Sequence, residues 1–157
     1  MVRHTGLHLS SVTSCFLHTY GETDLSTTNF DIALFSGSWS SMAVGEWDQF
    51  DGWTSGSAHT GTNLANTWNT SSFSVGWNIF EFNAAGRATI LSAKNTTFKI
   101  AMISGEDVSR SEPTDNEYVS FESIAASGKE PFLRINTSTS SGTSTTKGMK
   151  LSGVSLG

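Results

Sequence analysis

Residues 77–91 read W-N-I-F-E-F-N-A-A-G-R-A-T-I-L and hold the clearest structural pattern of the chain. The first seven residues alternate between two faces, with Asn78, Phe80 and Phe82 on one side and Trp77, Ile79 and Glu81 on the other. Such alternation is typical of a β-strand with one buried side. Asn83 then precedes a run of good helix formers, which predicts an N-cap and a helix of about two turns.

The same alternation recurs along the chain between clusters of Gly, Ser, Asn and Asp. It predicts further strands over residues 13–20, 29–35, 97–103, 118–123 and 131–136, with weaker candidates over 3–9, 41–45 and 71–74. Many short strands and a single short helix indicate an all-β fold. We therefore predict an antiparallel β-sandwich, jelly-roll-like, with one short helix.

The composition agrees with a folded β protein. A length of 157 residues suits one domain. Charged residues make up 15% of the chain, well below the usual quarter, and 46 Ser and Thr take their place. Ten Phe and five Trp argue against disorder, because disordered chains lack large apolar side chains.

The C-terminal part differs in composition from the rest. Residues 137–146, T-S-T-S-S-G-T-S-T-T, are of low complexity and are predicted to be flexible. A mildly apolar end follows, which carries Met149, Leu151, Val154 and Leu156. We predict a β-sandwich domain over residues 1–136. Residues 137–157 are then either a flexible linker with a C-terminal assembly tail or a disordered terminus.

Charge and hydropathy limit the partners and the location. The net charge is −5 and the nine basic residues are scattered, which argues against nucleic acid and against an anionic membrane surface. Met1-Val2-Arg3 leads into polar sequence without the apolar stretch of a secretory leader, and no segment has the roughly 20 apolar residues of a transmembrane helix. A surface rich in Ser and Thr suits an extracellular setting. A virion satisfies both observations and is the expected location, with the extracellular space or the cell surface as alternatives.

The motifs of common enzymes are missing from the sequence. His4 and His8 would lie roughly 13 Å apart on a strand, too far to share one zinc easily. Neither G-x-S-x-G nor a glycine-rich phosphate loop occurs. The single cysteine, Cys15, falls in an alternating strand and is predicted to be buried. We expect no catalytic activity, no cofactor and no metal.

One acidic and aromatic segment, residues 45–53 (G-E-W-D-Q-F-D-G-W), is the candidate binding site. In a carbohydrate-binding interpretation, Trp47 and Trp53 stack on sugar rings while Asp48 and Asp51 accept bonds from sugar hydroxyls. Three other interpretations stay open: packing at one end of the sandwich, a calcium site of irregular spacing, and a glycan hydrolase or lyase.

The second half of the chain contains four ordered segments: F-S-V-G-W-N-I-F-E-F-N-A-A-G-R-A-T-I (73–90), T-T-F-K-I-A-M-I-S-G-E-D-V (96–108), E-P-T-D-N-E-Y-V-S-F-E-S (112–123) and K-E-P-F-L-R-I-N (129–136). Their order resembles DNRLRE-type β-sandwich modules and related jelly-roll domains of phage, archaeal and secreted bacterial surface proteins. The resemblance implies a non-enzymatic adhesion, spacer or surface-decorating module and carries over no catalytic residues. If Arg3 begins the first or second strand of that pattern, an edge strand is missing and another chain could supply it.

These observations together predict a non-enzymatic structural protein of a virion. It would be a capsid-decorating or tail-associated subunit of a phage-like particle, assembling with other subunits and with its own copies by β-edge and tail contacts. The alternative is a carbohydrate-binding or adhesion module with a glycan as its partner.

Overall fold

The computed structural model describes residues 11–39, 48–93, 96–123 and 125–138, together with the backbone of residues 144–150 and 155–156. Its strands form two sheets, and the main cluster of buried side chains draws residues from both. The predicted all-β sandwich is therefore confirmed.

The first sheet, sheet A, is built around the longest strand, β1 (Ser14–Asp24). Strand β4 (Gly76–Glu81) pairs with one side of β1. Strands β7 (Phe132–Ser138) and β6 (Val119–Phe121) pair with its other side, β7 near its beginning and β6 near its end. Strand β8 (Ser144–Lys150) pairs with β7. All of these pairings are antiparallel. The order β4-β1-β7-β8 makes β4 and β8 the outer strands of this path through the described sheet.

The second sheet, sheet B, has the order β3 (Trp68–Asn69), β2 (Asp31–Ser36), β5 (Ile100–Ser104) and β9 (Ser155–Leu156). The pairing of β5 with β9 is parallel, unlike every other pairing among the described strands. The antiparallel prediction therefore holds for the sandwich apart from this short contact.

The predicted helix is present as α1 (Ala84–Ser92). The Asn83 side-chain oxygen accepts a hydrogen bond from the Gly86 N–H at 3.0 Å, which is the expected N-cap. A second short helix, α2 (Gly105–Ser109), was not predicted, because the sequence indicated a single helix. The weak strand over 71–74 is wrong, because Thr70–Ser72 form a 3₁₀ turn capped by the Asn69 side chain.

The space between the sheets is filled by alternating apolar residues, as the strand patterns predicted. The side chains of Leu17, Leu34, Phe80, Phe82 and Leu133 are almost completely buried there. Cys15 lies in the same cluster, and burial raises the pKa of its thiol to about 12, so the thiol is neutral.

Asn78 is also buried on the core side of β4, as its position in the alternation predicted. Its side-chain oxygen accepts from the Ser74 N–H, and its amide group donates to the carbonyls of Ser74 and Gly76. These bonds satisfy a polar group that would otherwise be costly to bury.

Strand β2 is buried on both of its faces, which alternation alone did not predict. Leu34 points into the main core, whereas Phe35 belongs to a second cluster with Trp39 and Phe50 on the outer face of sheet B. The loop after β2 returns over this face, with Gly37 bridged to Phe50. Sheet B is therefore covered on its outer face in this region.

The described strands of the tail pair with strands of the same chain. Strand β7 continues past residue 136, and β8 runs back along it from Ser144 opposite Ser138 to Lys150 opposite Phe132. The division at residue 136 and the flexible linker stay predictions. The candidate strands over 3–9 and 41–45 lie outside the described residues.

Candidate functional site

The structure places three of the four predicted carbohydrate-binding residues on one loop over sheet B; Trp47 lies outside the described residues. The Asp51 N–H donates to the Ser36 carbonyl at 2.7 Å, and its carboxylate accepts from the Thr62 N–H at 3.3 Å. The Asp48 carboxylate accepts from the side chain of Gln49 at 3.0 Å. Asp51 therefore helps to close the loop on itself.

Trp53 packs against a histidine of the same loop. Its ring lies 6.2 Å from that of His59 at an interplanar angle of 27°. His59 in turn meets the buried Phe50 edge to face at 5.0 Å, and Phe50 contacts Phe35. The indole of Trp53 is thus half-buried in an aromatic stack that continues into the sheet. Its use in sugar binding stays a prediction.

The short helix α2 and the residue that follows it, Arg110, form hydrogen bonds to this loop. The Arg110 guanidinium donates to the carbonyls of Thr54 at 3.1 Å and Ser57 at 3.4 Å, while the His59 N–H donates to Val108 O at 2.8 Å. Arg110 itself adopts a left-handed φ of 58°, the usual conformation at a helix C-terminus. The loop is therefore held by backbone and side-chain bonds to a neighbouring element.

The loop has a built-in sensitivity to acid. Desolvation and the nearby Arg110 lower the pKa of His59 from its ordinary 6.5, while Asp107 acts in the opposite direction. Its Nδ1 accepts a hydrogen bond from the Thr54 N–H at 3.1 Å, which protonation would remove. Since the unfolded chain takes up this proton first, the stabilisation is complete above pH 6.5 and is lost as the pH falls through the lowered pKa.

We expect the denaturant midpoint to fall between pH 7 and pH 5, and the fall to be smaller in His59→Asn, whose amide oxygen can replace Nδ1 but does not titrate. Parallel urea titrations of both proteins check this. An equal pH dependence in the two would show that His59 does not contribute.

The most distinctive surface lies elsewhere, on the outer face of sheet A. Alternate residues of β1 point outward there, and the register of the sheet sets apolar residues of β4 and β7 beside them. We call this surface the aromatic face; it consists of Phe16, His18, Tyr20, Trp77, Ile79 and Phe132. His18 stands between Ile79 and Phe132, and Tyr20 stands opposite Trp77.

The rings of the aromatic face pack against one another. The centroids of the Trp77 and Tyr20 rings lie 5.4 Å apart with an interplanar angle of 82°. Those of Trp77 and Phe132 lie 5.2 Å apart at 72°. Phe132 stacks on His18 at 4.4 Å and 7°. Because Trp77 meets its neighbours edge to face, the rings form a continuous but uneven apolar surface rather than a flat one.

Charged side chains surround this apolar centre. At one end the Lys129 ammonium lies 4.6 Å above the Tyr20 ring and forms an ion pair with Glu122 at 2.8 Å. At the other end Arg134 and Glu81 stand on either side of Phe16. An apolar centre with a polar rim is the usual anatomy of a protein interface.

His18 adds to the apolar character of the face. Its Nε2 is buried and has no hydrogen-bond partner among the described residues. Burial, and to a lesser extent Arg134, lower the pKa of His18 below 6.5. The ring is therefore neutral at pH 7.

Other site predictions are only partly covered by the structure. Met149 lies in β8 opposite Leu133, and Leu156 lies in β9 opposite Met102, whereas Leu151 and Val154 are outside the described residues. Within the described ranges no cluster of His, Cys, Asp and Glu is suited to hold a metal ion. None of the helices described there is long and apolar enough to span a bilayer.

The strand patterns contained a signal for the aromatic face that the search for functional motifs missed. The predicted strands at 13–20 and 77–83 carry aromatic or apolar residues at both phases of the alternation, where one phase of a solvated sheet would be polar. Which strands lie side by side was needed to gather those residues into one surface.

Comparison with known proteins finds no relative. No family model, no curated protein and no solved structure matches the chain. The resemblance to DNRLRE-type modules thus gains no support, and the fold and surfaces described above are the basis for assigning a function.

Proposed function

We propose that this protein is a non-enzymatic structural protein of a virion, a capsid-decorating or tail-associated subunit of a phage-like particle, which assembles by β-edge and tail contacts. The observation that carries the proposal is the aromatic face of sheet A. It places a contiguous apolar surface on the outside of a rigid sheet.

The solvent-exposed face of a β-sheet in a monomeric protein is normally polar. Here Trp77 is 42% exposed and Ile79 48% exposed, beside the half-buried Tyr20 and Phe132. Contiguous apolar surface with a polar rim is characteristic of protein interaction sites, and Trp and Tyr are enriched where binding energy concentrates. A partner that packs against the aromatic face would remove these side chains from water.

The particle setting rests on the composition and on the sheet as a support. The chain is rich in Ser and Thr and poor in charged residues, as suits a protein that functions outside the cell. The aromatic face lies on regular paired strands rather than on loops, so its side chains are held in place before a partner arrives. Preorganisation of this kind favours permanent assembly.

Co-expression with the products of the genes that flank its own tests this proposal. We expect the chain to sediment with the assembled particles, and the double variant Tyr20→Ser/Trp77→Ser to stay in the supernatant while remaining folded. Trp53→Ala is the matched control on the opposite side of the sandwich and should sediment normally. A wild-type chain that stays monomeric and binds none of these products would contradict the proposal.

The alternative, a carbohydrate-binding or adhesion module, is favoured by one observation: Asp48, Asp51 and Trp53 share one loop. In that case a glycan array should show binding by the wild-type chain and by Trp77→Ala, and none by Trp53→Ala. Binding by neither wild type nor variants would remove this alternative.

A further inference from the structure

We infer that two copies of this chain associate through strand β4, which pairs antiparallel with β4 of the second copy about a twofold axis at Asn78. The inference rests on the proposed function for its biological role. It names the occupant of one sheet edge, a second copy, and the register in which that copy binds.

The backbone of β4 has unused hydrogen-bonding groups on its outer side. The Phe82 N–H donates to Cys15 of β1, whereas the Glu81 carbonyl accepts from Asn66 on the opposite side. Because the direction of backbone groups alternates along a strand, the N–H and C=O groups of Trp77 and Ile79 point away from β1, as those of Glu81 do. Among the described residues, the segment around Ala65 pairs on that side at Phe82 and Glu81, and no named strand pairs there with Trp77 or Ile79.

Over residues 75–80 the described edge lacks common protections against pairing, unlike its end at Glu81. Residues 75–80 contain neither Lys nor Pro, and the part of the chain described here shows no bulge in the pairing of β4 with β1. Five large hydrophobic side chains are exposed in the described chain, and three of them, Val75, Trp77 and Ile79, follow one another along this edge. Their exposures are 73%, 42% and 48%, so this edge presents three large apolar side chains in a row to water.

The open groups match those of a second copy in one register. With Asn78 on the axis, Trp77 stands opposite Ile79 of the second copy and Ile79 opposite Trp77. Both pairs then exchange their N–H···O bonds, which uses the open groups of both strands. The indole and the aliphatic side chain become cross-strand neighbours on the outer side, so the two aromatic faces join into one surface.

An existing contact favours this register over the one centred on Ile79. Glu81 is the only charged residue of β4, and in this register it lies outside the two central pairs. A register centred on Ile79 would instead pair Trp77 of each copy with Glu81 of the other, and the Glu81 carbonyl already accepts from the Asn66 N–H. In the Asn78 register the two central pairs form without Glu81. The Asn66 side chain also bonds to the Glu81 carboxylate at 3.1 Å and so covers that end of the edge.

Sedimentation of the full chain over a range of concentrations tests the association. We expect a dimer whose dissociation constant rises roughly tenfold or more in Ile79→Pro, which removes an outward N–H without removing a bond to β1. Ile79→Lys keeps the backbone intact and should weaken the dimer in the same direction. Leu25→Lys alters a side chain that is also exposed, at 58%, but lies away from β4, and it should leave the dimer unchanged.

Disulfide trapping tests the register. Trp77→Cys and Ile79→Cys, mixed and oxidised, should cross-link with each other, while neither should cross-link with itself, because only the 77–79 pair falls within disulfide distance. The buried Cys15 should not interfere. Cross-links that form equally well within each single variant, or none in the mixture, would overturn the inference, as would a wild-type chain that stays monomeric.

The two proposals fail in different ways. Unchanged particle binding together with no trapped dimer would overturn this inference alone. A trapped dimer that binds no particle component would overturn the proposed function alone.

Discussion

Phe80→Ala is expected to lower the free energy of unfolding by about 3–5 kcal/mol, a large share of the stability of a domain this size. The Phe80 ring is completely buried between the sheets. Its centroid lies 4.5 Å from that of Trp68 and 6.0 Å from that of Phe121. Truncation removes apolar burial and leaves a cavity that these rigid rings fill poorly. Urea unfolding followed by fluorescence measures the change.

The neighbouring position supplies the control. Ile79 precedes Phe80 on the same strand but points outward and is 48% exposed. Ile79→Ala should therefore cost less than about 1 kcal/mol, mainly through strand propensity. Similar losses for the two variants would mean that β4 does not present Phe80 to the core, and the strand assignment would be wrong.

Gly86→Ala is expected to destabilise the protein by about 1–3 kcal/mol, although alanine favours helices over glycine by up to about 1 kcal/mol. A Cβ at position 86 would lie 2.1 Å from the Leu64 carbonyl oxygen and 2.5 Å from the Phe82 ring. Helix α1 cannot easily move away, because the Asn83 amide group donates to the carbonyls of Asn63 and Ala65.

Ala88 is the matched control on the exposed side of the same helix. Ala88→Gly should lose about 0.5–1 kcal/mol by helix propensity alone. Opposite substitutions on one helix are thus both expected to destabilise it. A Gly86→Ala variant more stable than wild type in thermal or denaturant unfolding would show that α1 does not pack against residues 63–65.

The sequence predicted most of the strands because their patterns are local. Alternation places Phe80 and Phe82 in the core, and the Asn83 cap sets the beginning of α1. Two features were missed, and only one of them depends on contacts between distant segments. Phe35 is buried by a loop that returns over sheet B. The second helix, α2, begins at a local cap, in which the Ser104 hydroxyl accepts from the Asp107 N–H, yet the sequence patterns predicted only one helix.

The candidate sites show the same division. The acidic and aromatic loop was found because Asp48, Asp51 and Trp53 are close in sequence. The aromatic face was missed because Tyr20, Trp77 and Phe132 are far apart in the chain and meet only through the pairing of β1 with β4 and β7. A surface made by strand register requires the order of strands, which alternation does not provide.

An association role for sheet A also agrees with the asymmetry of the sandwich. On sheet B, the outer side of Phe35 is covered by its own loop through Phe50 and Trp39. On sheet A, Trp77 and Ile79 keep large exposed fractions. The chain thus covers apolar side chains on one outer face and leaves others open on the opposite face.

Hydroxyl-radical footprinting of the full chain tests most directly whether the aromatic face is covered in the assembled protein. Oxidation is compared between dilute chain and chain assembled at high concentration or on particles. We predict strong protection of Tyr20, Trp77 and Phe132, with Trp53 and Leu25 oxidised equally in both states. Protection centred on Trp53, or unchanged oxidation of Trp77 after assembly, would contradict an association surface on sheet A.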